Sequence, residues 1–121
     1  MYVERHAVTI TTDGDGDGEG YTPVVTGRIS TIRYVKDDYA TGVDFDVTAE
    51  ATGEVIWDED DVDASKTVAP RQATHSTAGV AATYDATQAV LDRIAVAKDR
   101  VKIVVANGGA TKTGVFHVVI D

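Results

Sequence analysis

Val43, Phe45, Val47 and Ala49 alternate with Asp44, Asp46, Thr48 and Glu50 over eight positions without a break. That period of two is the signature of a strand with one face on a core and the other in water. A helix cannot serve the same residues, because Phe45 would point away from the face shared by Val43 and Val47. Similar patterning recurs along the chain. Val8 and Ile10 share one parity in the stretch 5–11, and the stretch 24–35 is rich in Val, Ile and Thr, with Gly27 placed as a bulge or bend. Strands are therefore expected near 5–11, 24–35, 43–51, 93–97, 101–106 and 114–120, with Gly53–Trp57 a shorter candidate. Asn107, Gly108 and Gly109 supply positive-φ residues for a tight hairpin between the last two.

Asp85 to Lys98 reads two ways. Ala86, Val90, Leu91, Ile94 and Ala97 form an apolar helical face behind an Asp85 N-cap, or Arg93–Ala97 is a strand that turns at Lys98-Asp99. The preferred reading is a short helical turn over 85–90 followed by that strand. No βαβ alternation appears. The expected fold is all-β, an antiparallel sandwich or jelly roll with at most one short helix, formed by one domain over 1–121. The stretch 58–83 breaks the rhythm of strands and is expected to be a long loop that reaches a neighbour.

A chain of 121 residues can bury a core without staples, and it has no cysteine. Glu4, Arg5 and His6 interrupt any signal-peptide core, and no apolar run reaches membrane-spanning length. Synthesis in a cytoplasm and no membrane partner are the expectation. Twenty acidic residues against eleven basic ones give a formal charge of −9, which repels nucleic acid and suits a basic partner.

Candidate chemistry is sparse. Asp13, Asp15 and Asp17, with Gly18, occupy positions 1, 3, 5 and 6 of a calcium loop, but Val24 stands where the closing glutamate belongs. A solvated turn is the favoured reading, with Ca²⁺ the one cofactor the pattern admits. The acidic run Asp58–Asp63 invites a cation, a basic partner or plain water. His6, His75 and His117 lack ligand spacing, and His117 is placed on the outward parity of a strand. His75-Ser76 lacks the surroundings of a nucleophile, and the glycines at 14, 16, 18 and 20 lack the Lys of a phosphate loop. Tyr2, Tyr21, Tyr34, Tyr39, Tyr84 and Trp57 could build a sugar platform or simply fill a core. No enzyme emerges. Val62, Val68, Pro70, Arg71, His75 and Val80 are the interface candidates, along with the N-terminal residues, because apolar groups in a long loop are better covered.

The stretches Arg5–Asp13, Ala69–Val80 and Asp99–Gly109 resemble a family of short proteins encoded among the head genes of tailed phages. The resemblance spans nearly the whole chain and rests on general similarity. It implies a capsid decoration, or cement, protein: β-rich, a homotrimer, seated on the virion exterior against the major capsid protein, with no catalytic residue. The competing classes are a head–tail connector or tail component, and a calcium- or carbohydrate-binding sandwich module.

Overall fold

The computed structural model describes residues 3–121. It is all-β, and no helix occurs among the described residues. Ten strands follow one another: β1 (Glu4–Thr11), β2 (Gly18–Tyr21), β3 (Val25–Lys36), β4 (Val43–Ala49), β5 (Val55–Val62), β6 (Lys66–Val68), β7 (Arg71–Ala73), β8 (Leu91–Asp99), β9 (Val101–Ala106) and β10 (Thr113–Ile120). They pair antiparallel in two sheets. One has the order β1-β10-β3-β8-β7, with β6 also on β3, and the other the order β2-β9-β4-β5.

The alternation at 43–49 is realised as read. Val43, Phe45, Val47 and Ala49 are buried, while Asp44 and Asp46 face outward. Val8 and Ile10 of β1 pair with Phe116 and Gly114 of β10, and the apolar sides of both sheets meet in one core. Gly27 lies at a register shift between β3 and β8, the expected bulge.

Consecutive strands mostly lie in different sheets; only β4–β5 and β7–β8 pair as chain neighbours. This overturns the expected hairpin at Asn107. β9 and β10 belong to opposite sheets, so Asn107-Gly108-Gly109 forms an arch between layers. Asn107 and Gly109 do adopt positive φ, yet the Gly108 amide donates to Gly16 O and its carbonyl accepts from Ala40 N. Turn residues report local backbone shape, whereas the choice of partner strand is made by the core. A parallel case is Lys98, whose φ of 47° bends the chain from β8 into β9 of the other sheet.

Two buried threonines anchor the chain where it leaves one sheet for the other, at opposite ends. Thr12 Oγ1 donates to Gly109 O and accepts from Lys112 N at 2.9 Å. Thr22 Oγ1 accepts from Val101 N at 3.0 Å. At the open side, Lys66 of β6 reaches Glu59 of β5, so an ion pair closes the gap between the sheets.

The long loop expected over 58–83 is not one loop. Asp58–Val62 completes β5, because Val62 and Trp57 bury against β4 while the acids between them stay largely outside. The chain then contributes β6 and β7.

An aromatic cluster fills the centre. Phe45 of one sheet lies 4.6 Å from Tyr34 and 4.8 Å from Phe116 of the other, ring centre to ring centre. Tyr39 donates a 2.6 Å hydrogen bond to Ile10 O, whereas the buried Tyr34 hydroxyl has no protein partner. Burial pushes the Tyr34 hydroxyl up to about 12, and burial, then the neighbouring Tyr34, also raises Tyr39.

These hydroxyls give opposite expectations. Tyr39→Phe removes the bond to Ile10 O and should cost about 1 kcal/mol, while Tyr34→Phe should be neutral or stabilising by up to about 1 kcal/mol. Denaturant titration of both variants checks this. Because both folded values are raised, the stability conferred by the neutral hydroxyls is complete below the ordinary tyrosine value of 10.0 and is lost as pH rises through the raised ones. Two tyrosines should therefore ionise at 295 nm only together with alkaline unfolding.

Candidate functional site

The chain between β7 and β8 leaves the sandwich and folds on itself. Three short legs, 73–75, 81–83 and 89–91, bridge one another in a closed cycle: His75 with Ala81, Thr83 with Ala89, and Leu91 with Ala73. At the middle of each leg the amides form a ring. Ala82 N donates to Thr74 O, Val90 N to Ala82 O, and Thr74 N to Val90 O. Two turns join the legs. Ser76 and Val80 close the first, and Tyr84 and Gln88 the second, where Asp85 Oδ1 accepts from the Thr87 and Gln88 amides. Those amides, Thr87 first, hold the Asp85 carboxyl below its ordinary range.

This small threefold knob replaces the helical turn expected over 85–90. Asp85 does cap two amides, but the chain cannot continue as a helix, since Val90 is held to Ala82 and Thr74. The spacing was present in the sequence. Ala73, Ala81 and Ala89 recur every eight residues, one in each bridge. That period is far shorter than the roughly 20–50 residues of solenoid and propeller repeats.

The knob is exposed and almost uncharged. Residues 72–91 carry one formal charge, Asp85, in a chain that is 26% charged. Val80, Tyr84 and Leu91 are 65%, 71% and 58% exposed. Soluble surfaces carry interspersed charge, and charge is depleted where a surface is covered by a partner. The closed bridging also removes free strand edges, so recognition falls to side chains.

The interface candidates divide accordingly. His75 and Val80 stand on the knob, exposed. Val62 and Pro70 are buried and Val68 packs against the core, so these three are part of the fold and offer no contact. Pairing of Val68 with Ile32 on β3 turns it inward. Arg71 sits at the knob's base and donates to Ser30 O and Pro70 O, so part of its fork is already engaged.

The aromatic residues do not form a platform. Tyr34, Tyr39 and Trp57 are in the core, Tyr84 tips the knob, and Tyr21 lies under the Arg100 guanidinium, itself clamped by Glu50. Tyr2 lies outside the described residues. His6 bonds Glu4, His75 is on the knob, and His117 sits at the centre of the outer face of β10 with its Nδ1 buried and without a protein partner.

The Asp-Gly run is half turn and half strand. Asp13 Oδ1 accepts from the Asp15 and Asp17 amides at 2.9 and 3.1 Å, and Thr111 N donates to Asp13 O. Gly18 and Gly20 belong to β2, where a side chain would collide with Ile10 and Val8. A shallow depression of about 440 Å³ lies beside this turn, floored by Val104 and Ala106 and edged by Asp13, Asp17 and Glu19. Among the described residues, no group of three or more His, Asp or Glu is disposed to hold a metal ion.

Asp13 thus orders its own turn. Asp13→Ala should lower stability by about 1 kcal/mol while Asp15→Ala leaves it unchanged. Thermal melts of both variants, with millimolar Ca²⁺ and with EDTA, should show this difference and no calcium dependence. A specific ligand at a hundredfold excess over Kd would add about 2.7 kcal/mol. No family model, curated protein or solved structure matches this chain.

Proposed function

We propose that the chain is a non-enzymatic structural virion protein that decorates and stabilises the outer surface of a tailed-phage capsid as a homo-oligomer. The observation that carries this reading is the knob: an ordered, exposed and nearly uncharged projection with Val80, Tyr84 and Leu91 outward. Tyr anchors are favoured at interfaces because they bury large area at small entropic cost. The stretches that resemble phage head proteins map onto β1 with its turn, β7 with the first knob leg, and β9 with its arch. The major capsid protein is the partner this assigns, and the protein is made in the host cytoplasm.

The test is sedimentation with purified heads. The protein should pellet with heads at capsid-wide copy number, and Val80→Ser with Tyr84→Ser should weaken that binding at least tenfold, about 1.4 kcal/mol or more. The melting temperature of the doubly substituted protein should stay within experimental error, since both side chains are exposed. Protein that never pellets with heads, or a few copies at one vertex, would sink the reading.

A further inference from the structure

The charges are sorted by sheet. Strands of the six-stranded sheet carry eight basic and three acidic residues, whereas those of the four-stranded sheet carry seven acidic residues and one basic, Lys102. Alternation fixes where they point. Arg28 and Arg33 flank buried core residues, and Arg5 has the parity opposite to the buried Val8 and Ile10, so all three stand on the outer face of the larger sheet, with His117 and Arg33 directly opposite each other. On the smaller sheet, Glu19, Val104, Asp46 and Asp58 form one continuous outward row across all four strands.

Each face keeps like charges together at a cost. Asp46 is directly opposite Asp58, and Arg71 directly opposite Arg93, and like charges in such positions are destabilising. Arg93 is relieved by Asp121. Among the described residues, the side chains of Arg5, Arg28, Asp46 and Asp58 have no hydrogen bond or ion pair in the subunit. Interspersed charges would have been easier to fold and equally soluble. The two faces are complementary to one another but, lying on opposite sides of one sandwich, cannot meet within a single chain.

We propose that copies of this chain associate head to tail, the arginine face of one against the acidic face of the next. Net charge does not forbid it. Repulsion between two copies of charge −9 is screened beyond about 8 Å at physiological salt, while charges in direct contact are screened far less. Area does not forbid it either: the chain exposes 6805 Å², and a standard patch of about 800 Å² per partner is roughly an eighth of that. Such a contact is heterologous, leaving one unused face of each kind at the two ends of any assembly that does not close into a ring.

Sedimentation velocity on the full chain, without heads, tests this separately from the capsid reading. Wild-type protein should self-associate with rising concentration at 0.05 M salt, and at least tenfold more weakly at 0.5 M. Protein with Arg5→Gln, Arg28→Gln and Arg33→Gln, and protein with Asp46→Asn and Asp58→Asn, should each be monomeric with melting temperatures no lower than the wild type's, since neither set removes a hydrogen bond of the core and the second relieves the Asp46–Asp58 repulsion. Mixed in equal amounts, they should form a 1:1 dimer that does not grow, because one retains the acidic face and the other the arginine face. A monomeric wild type, a substituted protein that self-associates as wild type does, or a mixture without dimers would overturn the proposal.

Discussion

Phe45 holds the two layers in place. It stands on the four-stranded sheet, yet its ring packs edge-on against Tyr34 and Phe116 of the six-stranded one, with Trp57 at 5.5 Å beside it. Edge-to-face pairs of this kind add about 0.5–1.5 kcal/mol each beyond the area they bury. Tyr39 extends the cluster to the sandwich end, and its ring lies where a side chain at position 114 would be, so Gly114 is required near the start of a strand that otherwise favours bulk. Every arch between the sheets then has its span set by this layer. Thr12, Thr22 and the Asn107 loop secure a spacing that the aromatic rings establish.

Much of this could be read from the sequence because alternation encodes burial directly. Val43 to Ala49, Val8 with Ile10, and the outward parity of His117 were legible from period alone. Pairing was not. Asn107-Gly108-Gly109 has the composition of a hairpin and positive φ at Asn107 and Gly109, but β10 finds β1 and β3, with whose inner residues Phe116, Val118 and Ile120 share a core. Local chemistry can specify a turn without specifying what the turn connects. The acidic run at 58–63 misled for the opposite reason: its charges advertised a loop, while Trp57 and Val62 at its ends carried enough apolar area to hold it in a strand.

The candidate sites were legible to a smaller degree. His75 and Val80 lie on the exposed knob, but Val68 and Pro70 were chosen for being apolar, and the fold uses that property for itself. An apolar residue in a stretch read as a loop has two outlets, a partner or the protein's own core, and composition does not separate them. What separates them is the bridging of Val68 to Ile32, a long-range fact. The knob itself left one trace, the alanines at 73, 81 and 89, and its meaning depended on three bridges that no local pattern announces.

The knob and the sorted charges share a physical logic. Both are surface features whose cost is local and whose benefit is not visible in the isolated chain. A segment of twenty residues with one charge gives up solubility, and like charges set opposite each other give up stability, while the core contributes to neither. Natural sequences depart from local consistency chiefly where function asks for it. The departures here avoid the aromatic layer altogether: the knob hangs from β7 and β8 beyond the core, and Arg5, Arg28, Arg33, Asp46 and Asp58 stand on the outward parity of strands whose inward parity supplies the core. Alternation makes that separation automatic, since a strand offers one set of positions to stability and the other to partners. The surface of this sandwich can therefore be respecified without disturbing the layer that holds it together.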